Sequence, residues 1–329
     1  MKSSLPRIVL AGCTGYIGRK LVEILLGSGY SIICPVRSIE NATKYISNHQ
    51  NLILVNYQNL QETIEKSNLN PTILVSCIAS RSGGVKDSWN VEYDANMKLL
   101  QLASKFQFKR FILLSAICVQ KPLLEFQKAK LAFENELQTS SIPYDVIRPT
   151  AFFKSLSGQI ERIKKGKSFL LFGNGDLTSC KPISERDLSR FILRLIERKK
   201  QKSNIHIIGG PGPCITPMQQ GRILFRLLKK REKFYRINPK LFLVISWCLY
   251  PLSKLSSRLN DYREFLRIAY YYATESMLLW NSKVKEYDSS LTPEFGTDVL
   301  EDFYKDLIAS KKQYSELKDQ KLFWNLTKI

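Results

Sequence analysis

Apolar residues gather in short blocks near 7–11, 31–36, 52–55, 72–78, 110–115 and 144–147, and between them several stretches, notably 17–27, 90–106 and 123–139, carry apolar positions at helical spacing. Brief apolar runs bounded by turn formers read as fully buried strands, and their alternation with amphipathic helices predicts βαβ units around a parallel sheet. The expected fold class is α/β, a Rossmann-type doubly wound sheet. Past residue 150 the pattern loosens into a helix near 154–165, a turn at FGNGD, a helix at 184–198, a strand at 204–208 and largely helical sequence thereafter. Two units are expected: a dinucleotide-binding domain over 1–150, and a smaller, mostly helical substrate lobe over 151–329, interleaved with the first.

The first strand breaks into Gly12, Gly15 and Gly18 within IVLAGCTGYIGRKLVEIL and resumes as a helix. Gly12 permits a sharp turn, Gly15 lets backbone approach a pyrophosphate, Gly18 lets helix and strand pack closely, and the helix N-terminus presents N–H groups to the anion. Three loosely spaced glycines also occur in turns that serve packing alone. The next apolar run, Tyr30 to Val36, is followed by Arg37, about twenty residues past the loop, where a carboxylate would bind a ribose 2′-OH and a cation favours a 2′-phosphate. NADPH is therefore the expected cofactor, a surface arginine closing the strand being the alternative. The expected cofactor contacts are Gly12, Thr14, Gly15, Tyr16, Ile17, Gly18, Arg37, Ala79, Ser80, Lys130 and Pro149. Those beyond the loop lie after predicted strands or on the helix that follows one, and ligands of open α/β sheets bind at the carboxyl ends of strands.

The strand at 110–115 ends RFILLSA; Ser115 stands eleven residues before Phe126, and Phe126 four before Lys130. This resembles the serine, tyrosine and lysine with which short-chain dehydrogenase/reductases act on carbonyls, with phenylalanine at the tyrosine position. A phenol acidified by the lysine protonates a carbonyl oxygen, and phenylalanine cannot. Ser115 and Lys130 remain the expected catalytic residues, Lys130 as a ligand of the nicotinamide ribose and Ser115 with hydrogen bonding at the strand end as its alternative role. Two readings stay open: a noncatalytic NADPH-binding scaffold, such as a photosystem assembly factor or redox sensor, or reduction of a conjugated carbon–carbon double bond, which needs no carbonyl acid.

SCIASRSGGVKDSW (76–89), LLSAICVQKPLLEFQKAKLAFE (113–134), IRPTAFFKSLSGQ (147–159), FGNGDLTSCKPISERDL (172–188), GGPGPCITPMQQG (209–221) and YYATESMLLW (271–280) together resemble the NADPH-dependent divinyl chlorophyllide a 8-vinyl-reductases, atypical members of that superfamily. The resemblance spans roughly residues 5–308. It implies NADPH-dependent reduction of the 8-vinyl group of divinyl chlorophyllide, or of a close divinyl precursor, to ethyl during chlorophyll or bacteriochlorophyll synthesis. A large, flat, apolar tetrapyrrole would use aromatic residues of the second half, among them Phe152, Phe153, Tyr270 to Tyr272 and Trp280, and its propionate a cation such as Lys154 or Arg148. The expected substrate contacts are Arg81, Phe152, Phe153 and Lys154, with Phe153 and Lys154 ahead of the tyrosines because they directly follow a strand end.

The 329 residues carry a formal charge of +21. Charge of that sign suits nucleic acid, an anionic membrane or an acidic substrate. The basic runs at Lys164 to Lys167, Arg198 to Lys202 and Lys229 to Arg231 flank predicted helices without any nucleic-acid motif, so no nucleic-acid partner is expected. Seven dispersed cysteines, no CxxC pair and two histidines suit a reducing compartment without a structural zinc or cysteine-ligated cluster. No targeting segment is expected ahead of the first strand. The expectation is a bacterial enzyme, cytoplasmic or peripheral on photosynthetic membranes, or a plastid protein if a transit peptide has been removed. LFLVISWCLYPL, residues 241–252, is about half of the ~20 residues that span a bilayer. It is expected to be a buried helix, with monotopic bilayer contact as the alternative. The tail after Ile308 is expected to form a surface helix and an apolar patch.

Overall fold

The computed structural model describes residues 6–66, 70–199 and 202–309; the tail expected to form a surface helix lies outside them from residue 310 on. Among these residues eleven strands follow in chain order: β1 (Arg7–Ala11), β2 (Ile32–Val36), β3 (Leu52–Asn56), β4 (Pro71–Ser76), β5 (Arg110–Leu114), β6 (Tyr144–Pro149), β7 (Phe169–Phe172), β8 (Asn204–Ile208), β9 (Phe234–Ile237), β10 (Leu279–Asn281) and β11 (Glu286–Asp288). Seven make one sheet in the order β3-β2-β1-β4-β5-β6-β8, all neighbours parallel.

Successive strand residues point to opposite faces, and here both faces are apolar. Ile8, Leu10, Ile32 and Cys34 pack under the helices Tyr16–Gly27 and Glu185–Glu197, whereas Val9, Ala11, Ile33, Leu74 and Phe111 pack under Ala95–Lys105 and Glu125–Thr139. Burial on both sides explains the unbroken apolar runs, as expected of a parallel sheet. The chain builds β1, β2 and β3 outward to one edge and returns to lay β4 on the other side of β1. This reversal opens a crevice at the carboxyl ends of β1 and β4.

The last strand of the large sheet, β8, and the helix Glu185–Glu197 come from beyond residue 150. The remaining second-half chain builds a smaller lobe. There β7 and β9 pair in parallel over a separate core that includes Phe153, Ile163, Phe169, Phe225 and Tyr304, and the 18-residue helix Ser257–Thr274 closes over the crevice. Two of the basic runs, at Lys164 and at Arg198, stand at helix carboxyl ends, where cations complement the dipole.

The stretch 241–252 departs from the buried helix expected of it. Its helix, Lys240–Cys248, seats Phe242 and Ser246 against the protein and leaves Leu241, Leu243, Val244, Ile245 and Trp247 exposed.

Candidate active site

At the end of β1 the backbone reverses through Gly12, whose φ is +84°, and a Cβ there would lie 2.6 Å from the Cys77 carbonyl carbon after β4. Any other residue would force β1 and β4 apart at the crevice. A Cβ on Gly18 would meet the Gly12 oxygen at 2.1 Å, so the helix can start this close to the strand only with glycine there. Gly15 is exposed and precedes the helix Tyr16–Gly27, which has no side-chain cap and no acidic residue in its first turn. Orphan N–H groups facing a glycine-lined hollow fit a pyrophosphate. Thr14 is half-buried in the turn, and the Ile17 side chain enters the core, leaving its backbone for a ligand. Arg37 is exposed directly after β2, with no ion-pair partner among the described residues, while Arg19 lies 5.1 Å over the Tyr45 ring.

Beside this cradle lies a cavity of about 410 Å³, walled by the chain after β4, β5 and β6 and by the second lobe. Cys77 to Ser80, Ser115 to Cys118, Phe126, Lys130, Pro149 and Phe152 line it from the first side, and Phe172, Cys180, Ile268, Tyr272 and Met277 from the second. Ala79, Ser80, Ser115, Lys130, Pro149 and Phe152 are thus brought together. Arg81 is exposed outside the lining, its backbone N–H donating to Asp87 at 3.1 Å.

Lys130 donates to Glu92 at 2.6 Å, and the other Glu92 oxygen accepts from the Ser80 N–H at 2.8 Å and the Ser80 hydroxyl at 3.1 Å. The pair fixes the ammonium at the cavity wall and ties it to the loop after β4. Ser115 donates to buried Glu134, which also accepts from Arg148 Nε at 3.1 Å. The Ser115 hydroxyl and the Arg148 guanidinium therefore serve an internal ion pair, and Arg148 is not among the cavity-lining residues.

Two expected substrate contacts are corrected. After β6 the chain makes a 3₁₀ turn, Phe153–Leu156, in which residues three apart share a face. Phe152 and Ser155 consequently face the cavity, whereas Phe153 turns into the second lobe's core, 5.6 Å from the Phe303 ring. Lys154 is buried away from the cavity, its ammonium 5.1 Å over the Tyr16 ring. Tyr16 donates to Glu185 and stands 6.4 Å from the Phe152 ring, so it joins the cradle to the helix Glu185–Glu197 and to the chain after β6.

The tyrosines ranked behind them contribute one lining residue. On the helix Ser257–Thr274, Ile268 and Tyr272 are one turn apart and face the cavity. Tyr271 donates to the Cys118 carbonyl at 3.1 Å, Tyr270 packs with Phe242, and Trp280 meets Tyr287 edge-on at 4.8 Å. Burial, then the neighbouring Cys118 thiol, push the Tyr272 phenol well above its ordinary range. Burial likewise pushes the thiols of Cys118 up to about 11 and of Cys77 and Cys180 up to about 12. These thiols stay protonated and act as small apolar wall elements.

A model of an NAD(P)H-binding family matches residues 12–199. Over 95% of this chain and 79% of its own length, the chloroplastic divinyl chlorophyllide a 8-vinyl-reductase of Arabidopsis thaliana is 40% identical; that of Zea mays is 40% identical over 98% and 84%. The chain belongs to the divinyl chlorophyllide a 8-vinyl-reductase family. The photosystem II assembly factor Ycf39 of Trieres chinensis is more distant, 25% identical over 62% of this chain and 63% of its own. Among solved structures, a UDP-glucose 4-epimerase from Thermotoga maritima superposes with a TM-score of 0.64 at 18% identity, covering 94% of this chain and 99% of that one. A UDP-glucuronic acid 4-epimerase variant from Bacillus cereus gives 0.68 at 16% identity, with the same coverage. These likenesses show a shared Rossmann-type fold. With the NAD(P)H-binding family match they support a nicotinamide cofactor for this chain.

Glu92 escaped the sequence reading, and Tyr272 stood in it only as one of three tyrosines ranked behind Phe153 and Lys154. Glu92 left a signal: the buried stripe of its helical stretch is Glu92, Asn96, Leu99, Leu100 and Ala103, with two polar residues where apolar ones belong. Asn96 accepts from Ser76 at 2.6 Å, and the backbone around Glu92 runs as a π-helical turn, Trp89–Asp94, a distortion frequent at functional sites.

Proposed function

We propose that this protein reduces the 8-vinyl group of divinyl chlorophyllide, or of a close divinyl precursor, to ethyl, with NADPH as hydride donor. The observation that carries the reading is the apolar cavity at the ends of β4, β5 and β6, adjoining the phosphate cradle and holding a phenylalanine where a carbonyl reductase needs a phenol. A reduced nicotinamide bound there supplies a hydride. A vinyl group conjugated to a macrocycle delocalises the charge left by hydride addition, so no acid is required at an oxygen atom, and Phe126 becomes part of an apolar wall.

Residue roles follow from this placement. Gly12, Thr14, Gly15, Tyr16, Ile17 and Gly18 hold the pyrophosphate end, Arg37 pairs with the 2′-phosphate, and Ala79, Ser80 and Pro149 border the nicotinamide. Lys130 holds the nicotinamide ribose hydroxyls, with Glu92 as its positioning residue. Ser115 keeps the end of β5 in place through Glu134. Phe152 meets the flat face of the substrate, and Arg81, exposed at the loop after β4, meets its propionate. The proton for the second vinyl carbon comes from the Tyr272 phenol, which regains it from water. The division at residue 150 is functional: the first part holds the cofactor, the second closes over the substrate.

The relatives' names point to chloroplasts, and the free thiols suit any reducing compartment in which chlorophyll is made, a plastid or a bacterial cytoplasm. Incubating purified protein with divinyl chlorophyllide and NADPH tests the reading: the monovinyl product is expected as NADPH is consumed. Tight NADPH binding without product would favour the noncatalytic scaffold.

A further inference from the structure

The segment 240–255 is built inside out. Ser246 and Ser253 are 4% and 8% exposed, while Trp247 is 78% and Leu255 85% exposed, with Leu241, Val244, Tyr250 and Leu252 about half so. A helix of an ordinary soluble surface turns its serines outward and its leucines inward. Contiguous apolar patches rimmed by polar residues mark interaction sites.

The rim identifies the partner. Between Lys229 and Arg258 stand eight basic residues against one acidic, Glu232. Lys240, Lys254 and Arg258 at the two ends of the apolar stretch are exposed. A short apolar face carrying an exposed tryptophan and bracketed by cations is the chemistry of a helix lying in the interface of an anionic bilayer. Among the described residues no helix is long and apolar enough to cross a membrane.

We propose that the segment Lys240 to Leu255 docks this protein on the surface of an anionic lipid bilayer. The docked face is one side-chain layer from the catalytic cavity: Phe242, on its inner side, packs 5.4 Å from Phe172, which lines that cavity. The surface therefore sets the substrate site next to the phase into which a large apolar molecule partitions. Docking itself does not depend on the reductase reading, and its test reads lipid rather than turnover.

The test uses the full chain, vesicles of phosphatidylglycerol or of phosphatidylcholine, and maleimide labelling of Cys248, which is exposed on the same helix. Flotation with phosphatidylglycerol vesicles, weakened by salt, and slower labelling of Cys248 in their presence are expected. The double variant Val244→Glu, Trp247→Glu should lose at least about tenfold in vesicle partitioning, since two inserted apolar groups are replaced by charges that anionic lipid repels. Its NADPH affinity and melting temperature should stay unchanged, because both side chains are solvent-exposed. Failure to float with anionic vesicles, or equal partitioning by the variant, would overturn the proposal. So would a Cys248 already protected without lipid in a concentration-dependent dimer, which would assign the face to a second copy of the chain.

Discussion

Two side chains carry the residue-scale account. Arg37 is an exposed cation at the end of β2 with no ion-pair partner among the described residues. Arg37→Glu should weaken NADPH by roughly a hundredfold, the worth of a charge-assisted hydrogen bond, with little effect on NADH; equal losses in titrations of both cofactors would remove the 2′-phosphate assignment. In the proposed mechanism Tyr272 supplies the phenol that Phe126 lacks. Tyr272→Phe should lower kcat by about a hundredfold or more while leaving NADPH affinity intact. An acid must be protonated to act, and the Tyr272 phenol is held above the ordinary tyrosine range. Its contribution to kcat therefore stays flat up to that range and falls only beyond it. A variant with unchanged kcat and pH profile would place the donor elsewhere. The position of Arg37 was legible because spacing alone locates the residue after β2. Tyr272 was not, because nothing in the local pattern of YYYAT tells which of three tyrosines a helix will turn toward a cavity formed by strands more than a hundred residues away. Phe153 misled for the same reason: following a strand end gives position, whereas the 3₁₀ turn gives direction.

At the scale of elements, the strand-to-helix turn separates packing from binding. Gly18→Ala puts a methyl 2.1 Å from the backbone oxygen of Gly12, which cannot yield, so it should lower the melting temperature and NADPH affinity together. Gly15→Ala meets that same oxygen at 3.2 Å and otherwise points to solvent. It should weaken NADPH at least about tenfold with only a small thermal shift, since the methyl occupies space needed by the phosphates. Parallel behaviour of the two variants in melting and cofactor titration would contradict the cradle. The inner strands of the large sheet were readable because burial on both faces makes each an apolar run. The pairs β7 with β9 and β10 with β11 were not, being three or four residues long, and β7 and β9 also lie some sixty residues apart in the chain. The helix at 240–248 was read as buried because an apolar run carries no sign of which side faces water, and its inward serines are visible only in the fold.

For the whole molecule, the large sheet positions a cradle and the second lobe supplies a lid of apolar side chains over the adjoining crevice. We propose that the interleaving is functional: the chain leaves the sheet after β6, builds part of the lid, returns as β8 and leaves again, so cofactor and substrate walls are anchored to the same sheet. On the first-part side of that junction, the internal ion pairs Lys130–Glu92 and Arg148–Glu134 tie the helix Glu125–Thr139 to the turn Trp89–Asp94 and to β6. The central claim, a hydride passing from the cradle's ligand to a vinyl group in the cavity, is open to one direct measurement. Single-turnover reaction of divinyl chlorophyllide with NADPH deuterated at both C4 positions, followed by mass spectrometry, should give a monovinyl product carrying one deuterium in its new ethyl group. Bound, unoxidised cofactor and unlabelled divinyl substrate after the same incubation would contradict it.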